Sequence, residues 1–107
     1  GTAGIAAAGE FSGKLGNVPG TMDLAPGGIQ GETRQTMENI KNTVERYGGS
    51  MDRPVKCTVF LADIAEWGAM NEVYKEYFPN NRPARSALGV SGLALNARVE
   101  IECIFAL

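Results

Sequence analysis

The sequence contains no histidine, and this absence excludes more functions than any other feature of its composition. A Ser-His-Asp triad, a Cys-His pair, an HExxH zinc site and a Cys/His zinc finger all require an imidazole. Any catalysis by this chain must therefore depend on carboxylates, arginine, lysine, tyrosine, serine or backbone amides. The glycines form no phosphate loop of the GKS or GxGxxG type. We expect neither a cofactor nor a bound metal.

Long apolar runs are missing as well. No stretch approaches the ~18 consecutive apolar residues of a membrane span, and no basic segment followed by an apolar core opens the chain. We therefore predict a cytoplasmic protein with no membrane partner. The 107 residues suffice for one domain and leave no room for a second, so residues 1–107 are treated as a single domain.

Clustered positive charge is also scarce. Ten basic and twelve acidic residues give a net charge of −2, and the basic residues are scattered along the chain. Nucleic-acid-binding proteins use clustered lysine and arginine to displace counterions from phosphates. The charge pattern therefore argues against a dedicated DNA- or RNA-binding protein.

The sequence has two cysteines, Cys57 and Cys103, each within an alternating apolar run. Two cysteines without a histidine cannot complete a zinc site. We interpret both as small buried hydrophobic residues in a reducing compartment, with a disulfide or a metal-binding pair as the alternative.

Hydrophobic periodicity predicts an α+β fold. Residues 29–47 carry an apolar stripe at helical spacing, with Thr33 and Thr36 filling a gap in it, and residues 54–61 alternate as a strand. Asp63 is placed as an N-cap of a second helix that Pro79 ends. The remaining predicted strands are Ile5–Ala8, Ala84–Val90 and Ala97–Phe105. This order favours two helices packed on one face of a mixed sheet.

The other face of that sheet is neither a core nor an ordinary wet surface. We expect it to carry Thr58, Phe60, Glu100 and Glu102, together with the small residues Ala87 and Gly89. A face of this mixed character indicates packing against partner subunits, most simply in a closed symmetric ring.

Arg85 and Glu100 form the candidate constellation for chemistry. We place both on the face away from the helices, where neighbouring strands would bring them into one cleft. A guanidinium binds a small carboxylate bidentately, and an ionised carboxylate can accept a proton from water. The pair suits a small α-carboxylate substrate that undergoes proton transfer or hydrolysis. The alternative interpretation is a buried ion pair within the sheet.

Three further residues have open interpretations. Gly9 could offer its backbone amide to an anion or be a turn residue. Asn71 could contact a ligand or be a surface amide of the second helix. Glu102 could raise the proton affinity of Glu100, or pair with Arg98 or with another subunit.

Two segments resemble the RidA family, also called YjgF or L-PSP. They are Arg-Pro-Ala-Arg-Ser (residues 82–86) and Ala-Arg-Val-Glu-Ile-Glu-Cys-Ile (residues 97–104). Supporting stretches are residues 35–40, 56–64 and 70–78. The resemblance implies a chorismate-mutase-like fold assembled as a homotrimer with a central barrel and clefts between subunits. It also implies a cofactor-free deaminase that hydrolyses 2-aminoacrylate-type enamines and imines to 2-oxo acids and ammonia.

By the same resemblance, Arg85 matches the carboxylate-binding arginine and Glu100 the glutamate that positions or activates water. Gly9 and Asn71 match residues lining the cleft, and Ala87 stands where the family often has a cysteine. The chain departs from the family at Ala8, where serine is usual, and at Ala94, where proline is usual. The family's first strand, with its Gly-Pro-Tyr segment, is expected to be missing.

Two other functions compete with this interpretation. The first is a non-enzymatic trimer that senses 2-oxo acids through Arg85. The second is an endoribonuclease or translation inhibitor, as some family labels suggest; the acidic composition and the missing histidines count against it.

Overall fold

Four β-strands form one mixed sheet that carries two helices on a single face. The computed structural model describes residues 8–106, and for residues 8–14 the backbone alone. The elements are β1 (Ala8–Leu15), α1 (Gly28–Arg46), β2 (Pro54–Leu61), α2 (Trp67–Tyr74), β3 (Ala84–Gly89) and β4 (Val99–Ala106). The strand order is β1-β4-β2-β3, with β2 and β3 parallel and the other two pairs antiparallel. The predicted α+β class is confirmed.

Helix α1 forms because its apolar residues recur on one stripe. Ile29, Met37, Ile40 and Val44 are buried, and the predicted filling of the stripe by threonines is confirmed, since both are fully buried. The helix ends one residue earlier than predicted, so Tyr47 leaves the stripe and is 68% exposed. No helix within residues 8–106 is long and apolar enough to cross a bilayer.

Strands β2 and β4 alternate strictly and supply the sheet side of the core. Cys57, Val59 and Leu61 on β2 are buried, and every second residue of β4 from Val99 to Phe105 is buried beside them. Val59 lies opposite Ile101 in the antiparallel register. The predicted bounds of β2 are confirmed, and β4 begins two residues later than expected.

The second predicted helix consists of three consecutive short helical elements over residues 64–77, here called the second helical segment. Single turns of 3₁₀-helix, Ile64–Glu66 and Lys75–Tyr77, flank α2. Asp63 caps the segment as predicted, because its carboxylate accepts a hydrogen bond from the amide of Ala65 at 2.9 Å. Fewer apolar residues of this segment face the core than the pattern predicted, because Ile64 is 52% exposed.

The N-terminal strand differs from the prediction. Of Ile5–Ala8, only Ala8 belongs to the described residues, and the strand there runs from Ala8 to Leu15. Its glycine-rich sequence lacks clean alternation, which explains why periodicity missed it. The free edge of β4 selects the strand by antiparallel pairing, with Gly9 opposite Phe105.

The cysteines are buried as predicted, but the prediction that they are free is wrong. Cys57 and Cys103 form a disulfide. The two residues lie directly opposite each other on β2 and β4, with their Cα atoms 4.1 Å apart. Their side chains therefore point to the same face at bonding range.

Candidate active site

Arg85 on β3 is held against the helical segment by three side chains. Its guanidinium carbon lies 5.1 Å from the ring centroid of Trp67 and 4.8 Å from that of Tyr74. One guanidinium nitrogen donates a hydrogen bond to the amide oxygen of Asn71. These are cation–π contacts and a neutral acceptor, so they orient the cation without neutralising its charge.

A pocket of about 210 Å³ opens beside this guanidinium. It is smaller than the ~300–1,000 Å³ of pockets for drug-sized ligands, so it suits a small molecule. Its lining residues come from the second helical segment and from β3 with the loop before it: Asn71, Tyr74, Lys75, Phe78, Arg82, Pro83 and Arg85. Three of them are cationic and none is acidic. The pocket is therefore suited to an anion.

Tyr74 adds a buried polar group to this lining. The residue is 5% exposed, and its hydroxyl has no hydrogen-bond partner among the described residues. Burial raises the pKa of Tyr74 to about 12, although the nearby charge of Arg85 acts in the opposite direction. The phenol therefore stays neutral at physiological pH and remains available as a donor.

Arg85 forms no ion pair with any carboxylate of the described residues. A half-buried guanidinium with aromatic neighbours and one amide acceptor is a strong candidate for binding an external carboxylate. No group of three or more His, Cys, Asp or Glu side chains among residues 15–106 is placed to hold a metal ion.

The expectation that Arg85 and Glu100 share a face of the sheet is wrong within one chain. Arg85 is in parallel register with Cys57 and so points toward the helices, whereas Glu100 lies opposite Phe60 and points away from them. Strand β2 also separates the two strands. The alternative of an ion pair between them within the chain fails for the same reason.

The face of the sheet that points away from the helices, here called the bare face, is consequently composed differently from the prediction. Thr58, Phe60, Glu100 and Glu102 lie on it as expected, but β3 contributes Ser86 and Leu88. Ala87 instead packs against the core, and a side chain at Gly89 would meet Ile64. The apolar pattern of β3 is too weak to indicate which of its two sides faces the helices, and the parallel register with β2 decides it.

The remaining predicted residues divide into two groups. Asn71 contacts Arg85, and Ala87 follows two positions later on the same side of β3. Gly9 lies on β1, at the opposite edge of the sheet from β3.

Sequence reasoning missed the contribution of Trp67 and Tyr74. Residues 67, 71 and 74 recur at helical spacing, and this repeat around Asn71 was the signal available in the sequence.

A second polar cluster fixes the start of β4. The buried carboxylate of Glu32 on α1 accepts a hydrogen bond from the Arg98 amide at 2.9 Å. The Arg98 guanidinium also pairs with Glu66, with its Nη1 3.0 Å from one carboxylate oxygen. Arg98 therefore bridges two acidic side chains of the helical layer rather than pairing with Glu102.

Comparison with known proteins gives consistent matches over most of the chain. The family described as Endoribonuclease L-PSP matches residues 6–107. The 2-iminobutanoate/2-iminopropanoate deaminase of Rattus norvegicus is 42% identical over 93 residues, covering 87% of this chain and 68% of that protein. A RutC family protein of Pyrococcus horikoshii is 42% identical over 94 residues, covering 88% and 75%.

Solved structures of similar proteins share this fold over most of the chain. RidA from Psychrobacter sp. PAMC 21119 superimposes with a TM-score of 0.87 at 37% identity, covering 94% of this chain and 80% of the other. E. coli TdcF with bound serine gives a TM-score of 0.88 at 30% identity, covering 95% and 82%. A protein of this group is therefore known with a small amino acid bound.

Proposed function

Because the chain belongs to the RidA/YjgF family, as its match to Endoribonuclease L-PSP shows, we propose that it is a cofactor-independent enamine/imine deaminase. Its substrates are 2-aminoacrylate-type intermediates and the corresponding 2-imino acids. Its products are 2-oxo acids and ammonia. Relatives about 40% identical are named deaminases of this kind.

The observation that carries the proposal is the unpaired positive charge of Arg85. Its charge faces a small cationic pocket, and no carboxylate of the described residues compensates it. An α-carboxylate satisfies such a guanidinium with two parallel hydrogen bonds. Trp67, Asn71 and Tyr74 hold the guanidinium in place, so little side-chain entropy is lost when the substrate binds.

Glu100 supplies the acid–base step, and we assign it to a site shared between subunits. Arg85 lies on β3, an edge strand, and Glu100 is half-buried on the bare face. In a closed ring of three copies, the β3 edge of one subunit would meet the bare face of its neighbour. The pocket would then combine Arg85 of one subunit with Glu100 of the partner subunit.

The proposed reaction is hydrolysis at carbon two. The imine reacts in its protonated form, with the extra proton taken from solvent. Glu100 takes a proton from a water molecule as that water's oxygen bonds to carbon two, which gives a neutral carbinolamine. Glu100 then passes its proton to the amino nitrogen, the C–N bond breaks as the carbonyl forms, and ammonia leaves while the hydroxyl proton returns to solvent. The substrate is intrinsically reactive, so orientation plus one acid–base group is sufficient catalysis.

Mixing inactive variants tests the shared site. We expect Arg85→Met to lower kcat/KM at least about tenfold, because it loses a charge-assisted hydrogen bond. Glu100→Gln should lower kcat by about 10²–10⁴-fold with little change in binding.

When the two variants are unfolded, mixed equally and refolded, about a quarter of the sites in a ring would contain both wild-type groups. The measurement is imine decay coupled to ammonia release.

Arg53→Met is the matched control, since it removes an exposed arginine outside the pocket and should leave the rate unchanged. Sizing of every variant checks that assembly is intact. No recovery of activity in the mixed rings would refute the shared site, and full activity of Arg85→Met would refute the carboxylate clamp. Binding of 2-oxobutyrate by a wild-type protein that hydrolyses no imine would instead identify a sensor.

A further inference from the structure

Arg82 gives the pocket more positive charge than one carboxylate needs. Of the three lining cations, Lys75 already pairs with Glu72, its ammonium nitrogen lying 3.0 Å from a carboxylate oxygen. Arg85 has Asn71 and two aromatic rings as neighbours. Arg82 forms no ion pair with the described residues and is exposed. Two arginines without an ion-pair partner in this chain therefore line one small pocket.

The rest of the lining strengthens this imbalance. No acidic side chain of this chain lines the pocket, and the Glu100 that the proposed ring would add belongs at the reacting carbon, so no carboxylate is expected beside Arg82. The hydroxyl of Tyr74 is buried without a hydrogen-bond partner among residues 15–106, so it can donate a further hydrogen bond. Burial keeps the pKa of this phenol at about 12, so the group is a donor throughout the physiological range.

We propose that this pocket selects small dianions, and that its preferred substrates are short 2-imino acids with a second carboxylate at the far end of the carbon chain. Arg85 binds the carboxylate next to the reacting carbon, and Arg82 binds the distal one. Tyr74 donates a hydrogen bond to the bound acid at the inner wall. The identity of the substrate rests on the proposed deaminase function, whereas the preference for dianions is a property of the pocket alone.

Equilibrium binding separates these two claims. Succinate and butyrate have the same four-carbon chain and differ by one carboxylate, and neither can be deaminated. We expect wild type to bind succinate about tenfold more tightly than butyrate, the value of one charge-assisted hydrogen bond at a partly exposed site. Isothermal titration calorimetry at constant ionic strength measures both affinities.

Variants assign the preference to named residues. Arg82→Met should equalise the two ligands by weakening succinate alone, and Arg85→Met should abolish binding of both. Tyr74→Phe should weaken both ligands to a similar extent. Arg53→Met makes the same change in net charge outside the pocket and should keep the preference.

Each outcome decides the proposal. Equal affinities in wild type, or a preference for succinate that survives Arg82→Met, would overturn it while leaving the Arg85 clamp intact. An Arg82-dependent preference in a protein that hydrolyses neither mono- nor dicarboxylic 2-imino acids would support the dianion site and remove the deaminase function. If wild type hydrolyses both, kcat/KM should favour the dicarboxylic imine, and Arg82→Met should remove that advantage.

Discussion

At the scale of single residues, the close contact of Gly16 with the backbone of α1 constrains the fold. Gly16 follows β1 and lies against α1, where a Cβ atom would sit 2.5 Å from the carbonyl oxygen of Glu32. The same Glu32 carries the buried carboxylate that holds Arg98. Any side chain at position 16 would displace the turn of α1 that positions the start of β4.

We therefore expect Gly16→Ala to lower the free energy of unfolding by about 1–3 kcal/mol, the usual result of overpacking against backbone. Urea denaturation followed by circular dichroism measures the change. Gly68→Ala is the control: residue 68 lies in α2, and a Cβ atom there would meet no other group within 4 Å. Alanine there should raise stability by about 0.5–1 kcal/mol. Equal effects of the two substitutions would contradict the contact.

At the scale of elements, the antiparallel pair β2–β4 is the centre of the structure. Both strands bury alternate residues beneath the helices, and the disulfide joins them at Cys57 and Cys103. The bond closes a loop with a sequence separation of 46 residues, which restricts the unfolded chain. The strands are also linked by their ladder, so the disulfide reinforces pairing that packing already favours.

Reduction should lower the free energy of unfolding by about 2–4 kcal/mol, because the unfolded chain regains the entropy of the open loop. Urea unfolding with and without reductant measures this difference. The variant Cys57→Ala/Cys103→Ala should unfold at the same urea concentration in both conditions. A wild-type midpoint that does not respond to reductant, with free thiols confirmed by mass, would be inconsistent with a stabilising disulfide.

At the scale of the whole molecule, the buried phenol of Tyr74 and the partly buried phenol of Tyr77 contribute to the response to alkaline pH. Burial raises the pKa of Tyr74 to about 12, partly opposed by Arg85. Burial and the neighbouring Glu38 raise the pKa of Tyr77 to about 12, partly opposed by Arg34. Both folded-state values lie above the ordinary value of 10.0. The unfolded chain therefore loses these protons first.

Stability should accordingly be constant with respect to these groups below about pH 10 and fall as the pH rises from 10 to about 12. Denaturation midpoints across this interval, with phenolate absorbance recorded in parallel, measure the loss. Tyr74→Phe/Tyr77→Phe should show a shallower decline than wild type. An equally steep decline in that variant would assign the effect to other groups.

The bare face of the sheet also belongs to this scale. It exposes Leu88 to 48% and carries Thr58, Phe60, Glu100 and Glu102. Such a surface is unusual for a single copy, and its composition supports the proposed ring. The ring in turn is what would bring Glu100 to a neighbour's Arg85, so the proposed chemistry depends on assembly.

Much of the fold could be predicted from local patterns. The stripe of α1, the alternation of β2 and β4, and the cap at Asp63 each depend on residues a few positions apart, and all three are found in the structure. Conformational preference and burial period act over that short range. Motif resemblance likewise identified the family without any knowledge of contacts.

Tertiary pairing decided the rest, because register joins residues that are distant in sequence. It placed Cys57 opposite Cys103, turned Arg85 toward Asn71, and left Glu100 on the other face. A shift of one residue in β3 would reverse its faces, and the weak apolar pattern of that strand cannot specify which occurs. The sequence alone therefore determined which residue types are available for the chemistry, and the pairing of the strands determined which of them can meet within one chain.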